Sequence, residues 1–356
     1  MPVGIATSAA AYVTDNGSDT ISIFDRNGDR VVSRSVDVDP SAHEAPHHLA
    51  FDGAGHLLVA LSFPPDDASA GKHAGHGGSD SLGQVLRLDV ATIGLAGAVD
   101  VDQNPGDVVL THDRKRLLVT HFDMRRAMQN AKSGGSAASM FARLSMFDAA
   151  TLKPLGARAV CVAPHGIALT KDDREALIAC YGSDEIAVVE LNDGLAVSHV
   201  PIGARAAVLG APVYGPYSIA VSPDGAIAAV ADLESADVRV LQIARRELGD
   251  AIAVGARAMM PDFAEERVLL VPLQGPDGLA RVDLTKPEIE RRVAYGDECK
   301  NPHVVRVARD GRAYVVCEGD HKTPGAVLEI DKTTLATKHR WIVGVYPDGI
   351  AFGDAP

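Results

Sequence analysis

Apolar residues in this chain gather in short alternating runs separated by polar turns, and the spacing of an amphipathic helix is almost absent. One run recurs, each time introduced by proline. It reads PHHLAFD (46–52), PGDVVLT (105–111), PHGIALT (164–170), PYSIAVS (216–222), PDFAEERVLL (261–270), PHVVRVA (302–308) and PDGIAFG (347–353), the fifth being the most degenerate. A turn rich in Asp and Gly and a second apolar run follow most copies, as in DRKRLLVTHF (113–122), KDDREALIACYG (171–182) and RDGRAYVVCEG (309–319). Asp and Gly tolerate the backbone angles of tight hairpins. A third alternating run comes next, such as TISIFD (20–25), EIAVVEL (185–191) or AVLEID (326–331). Short strands in repeating units of about 40–60 residues predict antiparallel sheets arranged as blades.

Seven copies predict an all-β, seven-bladed β-propeller forming one domain over 1–356. The ends complement each other. AAYVTDNGSDTISIFD begins the chain as a second and third strand, and PDGIAFG near its close is a lone first strand, so the two termini are expected to share one blade.

AYVTDNGSDTISIFD (11–25), together with the SPDG turn at 222–225, resembles the repeat of the YVTN family of seven-bladed propellers. That resemblance implies the fold. For function it implies only a range, since such propellers include lactonase-like enzymes, lyases and binding modules. Virginiamycin B lyase-like propellers are similar in carrying Pro-His at a strand entrance, a pattern His165 and His303 match.

Charge and composition narrow the range. A net charge of −13 argues against nucleic acid or an anionic membrane as partner. No apolar run is long enough to span a bilayer. Aromatic content of 4% argues against a large protein interface, since such surfaces are enriched in Tyr and Trp. A small molecule or modified peptide is the expected substrate. The opening MPVGIATSAA lacks a basic segment and an apolar core of the export type, which points to the cytoplasm unless a signal has been trimmed away.

The fold then places the unusual residues. The position after each repeat proline should sit at the channel mouth: His47, Gly106, His165, Tyr217, Asp262, His303 and Asp348, with His48 beside the first. Aligning the ends of the second strands gives a further ring of Asp15, Leu61, His121, Cys180, Ala231 and Cys317. Insertions at 62–83 and 122–145, and the approach to Tyr217 at 204–217, fall on the same face, where loops carry function. Part of 124–144 is a candidate helical lid, and GKHAGHGG (71–78) a candidate metal-scavenging loop.

Imidazoles from separate blades converging on one axis suggest a transition metal held by His47 or His48, His165 and His303, completed by His121 or Asp348. Copper or iron is favoured and zinc is possible. Histidines that merely cap strand entrances are the plainer alternative, more economical for one residue than for a ring. Tyr217 is a candidate proton donor and Glu318 a candidate general base. The four cysteines fall in two matching frames, CVAPH (161–165) and CKNPH (299–303), each followed by a later cysteine. Cys161 with Cys180 and Cys299 with Cys317 can form disulfides, serve as soft-metal ligands, or be buried thiols, the first being slightly preferred. The expected function is a metal-dependent oxidoreductase, with a metal-assisted lyase or hydrolase, or a non-catalytic binding propeller, as alternatives.

Overall fold

In the computed structural model, which describes residues 9–64, 78–204 and 208–353, the alternating runs form seven antiparallel sheets around a central channel. Blade one consists of Pro46–Phe51, His56–Leu61, Gly83–Asp89 and Leu95–Val101, from the channel outward. Blades two, three and six repeat the order, with innermost strands Pro105–Leu110, Pro164–Leu169 and Pro302–Val307, and blade four, starting from Pro216–Val221, does so with its outer position split into Glu247–Leu248 and Ile252–Ala253. Blade seven joins the termini as expected. Pro347–Phe352 pairs with Ala10–Asp15, placing Val13 opposite Ile350.

Burial follows position in the blade. Second strands are buried on both faces, as in Glu175–Cys180 and Ile227–Asp232, while outer strands such as Glu288–Val293 lie largely open to solvent. A run such as IAAVAD can lie between two neighbouring sheets because its small side chains keep both close. Apolar residues of adjacent blades fill each seam, for example Leu118, Leu144, Ile178 and Val189 between blades two and three.

Blade five departs from the pattern for a local reason. Its innermost position is divided: Asp262–Glu265 and Arg257–Ala258 pair with different ends of Val268–Gln274. Between them lies Pro261, which lacks the N–H a continuous ladder needs. Met260 pairs instead with blade six, donating to His303 O at 2.9 Å and accepting from Val305 N at 3.0 Å.

Both cysteine pairs are disulfides, with Cα separations of 5.9 Å for Cys161–Cys180 and 5.1 Å for Cys299–Cys317. The metal-ligand and free-thiol alternatives therefore fall away. Cys161 closes the outer strand of blade two and Cys180 ends the second strand of blade three, so the bond staples one blade to the next. Cys299 follows the outer strand Glu288–Val293 of blade five and bonds to blade six in the same way. Among the described residues no helix is long and apolar enough to cross a membrane.

Candidate metal centre at the channel head

A repeated turn delivers the site residues. Ala45, Asn104, Ala163, Gly215, Asn301 and Tyr346, each directly before a repeat proline, have φ of 48°, 54°, 48°, 63°, 48° and 53°. Left-handed backbone at a non-glycine residue costs of order 1–3 kcal/mol and persists only where its surroundings fix it. Here a second-strand neighbour fixes it. Phe122 N donates to Asn104 O at 2.7 Å, Tyr181 N to Ala163 O at 3.2 Å and Glu318 N to Asn301 O at 3.1 Å. The turn reverses the chain and presents the residue after proline to the channel mouth.

His47, His48 and His165 meet there. Each offers a ring nitrogen, and the three nitrogens lie within 4.8 Å of one another. Exposures are 1%, 4% and 0%, so none of these rings is a surface histidine. Hydroxyls of the preceding blade hold two of them by the backbone, Thr14 Oγ1 donating to His47 O and Thr120 Oγ1 to His165 O. Carboxylates orient two of the rings: His47 Nδ1 lies in a short contact with Asp348 Oδ2, and His48 Nδ1 lies 3.3 Å from Asp107 Oδ1. His48 Nε2 is buried and has no hydrogen-bond partner among the described residues. A ring that gives one nitrogen to a carboxylate and leaves the other for an ion is the usual arrangement of a metal-bound histidine.

His303 belongs to a neighbouring group. Its Nδ1 lies 2.7 Å from Asp348 Oδ1 and 3.2 Å from Glu318 Oε1, and its Nε2 lies 3.3 Å from the Tyr217 hydroxyl. The Tyr217 ring stacks on His165 at a centroid distance of 3.9 Å. Electrostatics separates the imidazoles. Burial drives His47 down to about 4 against the pull of Asp348, keeping it neutral near pH 7. Burial also opposes protonation of His303, but Glu318 and Asp348 outweigh it and the net shift is upward. Burial raises the Tyr217 phenol well above its ordinary value, helped by the charges of Asp348, Glu318 and Asp107. Burial would raise Asp107, yet His48 outweighs it and the carboxyl falls.

His121 stays outside both groups. Its Nδ1 bonds to Arg143 O at 2.8 Å on the third strand of its own blade. The register explains this. Pro105, Pro164 and Pro302 face His121, Cys180 and Cys317, and side chains at that position turn into the seams, where the disulfides form. Pro216 faces Asp232, so Asp232 replaces Ala231 in this ring. The residues that look over the mouth come one position later: Phe122, Tyr181 and Glu318. Phe122 meets His165 edge-on at 5.1 Å.

The 122–145 insertion forms helices Met124–Lys132 and Ala137–Met140. Phe122, Ala127 and Met140 pack with Val162, Ala163 and Tyr217 as an apolar cover over the histidines. Tyr214 lies apart, under Arg239. The GKHAGHGG stretch falls almost wholly outside the described residues. On the other side of the ring the channel holds a cavity of about 200 Å³ lined by His48, Asp107, Arg306 and Gly349 among others. Asp107 is the site residue sequence reasoning missed; a charge inside the apolar run PGDVVLT was its only signal.

The fold and this buried histidine cluster define the class, a seven-bladed propeller with a polar centre at one end of its channel. No family model matches the chain, and it matches no curated protein sequence. Solved structures share the fold. The periplasmic gluconolactonase PpgL of Pseudomonas aeruginosa is 18% identical with a TM-score of 0.68, over 98% of this chain and 99% of that one. A candidate 6-phosphogluconolactonase from Bacteroides uniformis is 14% identical with a TM-score of 0.67, over 96% and 98%. Hydrazine synthase of Kuenenia stuttgartiensis is 16% identical with a TM-score of 0.66, over 90% and 93%. At such identities the likeness carries the fold alone.

Proposed function

We propose that the protein is a metal-dependent enzyme whose ion is held by His47, His48 and His165, and that it hydrolyses a small ester of the lactone type. The observation that carries this is His48, buried, turned by Asp107 and left with a bare Nε2 beside two further imidazoles. An unsatisfied buried polar atom costs about 1–3 kcal/mol, which an ion at that nitrogen would recover. Three protein nitrogens with an open position suit catalytic zinc. Lactonase-type neighbours favour hydrolysis over the redox chemistry expected from histidine content.

Bound there, the ion would polarise an ester carbonyl and lower the pKa of a coordinated water. The chain's own residues supply the rest. Asp348 and Asp107 fix the orientations of His47 and His48. In hydrolysis the activated water releases one proton to solvent, its oxygen bonds to the acyl carbon, the C–O ester bond breaks, and the departing alkoxide takes a proton. Tyr217, whose phenol stays protonated, is placed to give that proton and to regain it from His303 Nε2 at 3.3 Å. The channel cavity suits a small substrate, and Arg306 gives it an affinity for a carboxylate or phosphate group. Two disulfides fit an oxidising compartment, so the periplasm or the extracellular space replaces the cytoplasm in this proposal.

The all-nitrogen donor set also favours a second reading, an oxidoreductase, because copper and iron accept imidazole as readily as zinc. One experiment separates the two. Untagged protein is assayed on a panel of small lactones before and after chelation, with its visible and EPR spectra recorded. Hydrolysis lost on chelation and restored by zinc is expected. Hydrolysis indifferent to chelation contradicts the metal mechanism, and a coloured, EPR-active protein without lactonase activity favours redox chemistry. If His165→Ala and His303→Ala proteins fold and keep full metal content, a non-catalytic binding propeller replaces both.

A further inference from the structure

Beside the three imidazoles lies a second set of donors of different chemistry. His303, Glu318 and Asp348 are 0%, 1% and 0% exposed, and a ligand atom from each lies within 4.8 Å of the others. Glu318 is divided. Its Oε2 accepts from His321 Nε2 at 2.8 Å, while Oε1 is buried without a hydrogen-bond partner among the described residues and faces His303 Nδ1. Glu318 Oε1 and Asp348 Oδ1 both converge on one ring nitrogen, His303 Nδ1, which has at most one proton to donate. With that proton shared by the shorter contact to Asp348, Glu318 Oε1 is a buried carboxylate oxygen with no donor of its own, which is costly unless a cation answers it.

We propose that His303, Glu318 and Asp348 form a second cation site adjoining the first. One nitrogen and two carboxylate oxygens suit a divalent first-row ion such as Zn²⁺ or Mn²⁺ better than Cu(I), which prefers sulfur. Asp348 links the two sites, since Oδ1 faces His303 and Oδ2 faces His47. Glu318, first read as a general base, becomes a ligand. His321 then orients it from outside, stacked on Tyr346 at 3.7 Å. This site rests on the imidazole centre only through the shared Asp348.

The test is equilibrium dialysis of untagged, disulfide-intact protein against Zn²⁺ and, separately, Mn²⁺, with bound metal counted per chain by mass spectrometry. Two equivalents of Zn²⁺ are expected for the wild-type chain, and one for Glu318→Gln, His303→Gln and His165→Ala. Circular dichroism and a retained ion at the other site report that each variant is folded. A wild-type stoichiometry of one that survives Glu318→Gln and disappears in His165→Ala overturns the second site and leaves the imidazole centre standing. A single ion lost in Glu318→Gln but kept in His165→Ala does the reverse. Two ions in both the wild-type and Glu318→Gln proteins also overturn the assignment, as does no ion at all.

Discussion

The channel mouth and the blade seams are built from the first and second strands of the same blades, yet they hold different chemistry. His165 and His121 are both fully buried and lie in adjacent blades. His165 follows a repeat proline and meets His47 and His48. His121 ends a second strand, faces a seam, and is satisfied by a backbone carbonyl. Seam positions spend their polar or reactive groups on joining blades: two carry disulfides, and Asp15 accepts from Gly344 N of the preceding blade at 2.9 Å. Mouth positions gather donors beyond what the scaffold uses. In a pleated strand a shift of one residue moves a side chain from one role to the other.

The sharpest way to break this contrast is to remove one histidine of each kind. His165→Ala should lower metal affinity on the order of 10³-fold, following loss of one of three nitrogen ligands, and abolish metal-dependent activity. His121→Ala should leave metal content intact and cost about 1–3 kcal/mol of stability, because it orphans Arg143 O. Metal analysis and chemical denaturation measure both; equal metal loss in the two variants would erase the distinction.

Seam chemistry is tested next by the disulfides. Cys299→Ser with Cys317→Ser should cost about 3 kcal/mol of unfolding free energy, and the matching pair in blades two and three a similar amount. Metal content should survive in each folded protein.

Asp15 gives the seam a pH signature. Burial pushes its carboxyl from 3.8 up to about 7, outweighing hydrogen bonds from Ser22, Thr20 and Gly344. The folded state therefore holds a proton that the unfolded state releases above about pH 4. Stability from this group is full below that point and is lost as pH rises through about 7. The expected decline is on the order of 1 kcal/mol per pH unit between pH 5 and 7. Asp15→Asn should flatten it in denaturation curves, and an unchanged slope would refute the assignment.

The smallest effect concerns orientation at the mouth. Asp348→Asn keeps the size of the side chain but weakens its hold on His47, and should lower affinity for the first ion about tenfold. A competition titration with a chromophoric chelator measures it. No change would mean that His47 needs no orienting partner.

Much of this was legible before any coordinates. Prolines punctuate every innermost strand except where Pro261 breaks one, so blade number, closure and the ring of His47, His165, Tyr217, His303 and Asp348 follow from periodicity. Strand pairing was less legible. Placing Ala231 rather than Asp232 opposite Pro216 is an error of one residue, and the bulges between Pro216 and Ser218, and their counterparts in other blades, are what the sequence pattern hides. Treating strand ends as mouth positions also drew His121 into the metal set. Asp107 was missed because its partner, His48, lies on another blade, and only the closed ring brings them within 3.3 Å. The disulfides were readable as pairs, but their role as staples between blades needed the outer strands.

The most direct test is a crystal of the untagged protein grown with Zn²⁺ and mapped by anomalous scattering at the zinc edge. The account predicts an anomalous peak at the channel head, about 2.0–2.1 Å from ring nitrogens of His47, His48 and His165. Zinc bound only at surface sites, with the three imidazoles hydrogen-bonded among themselves and to water, would contradict it.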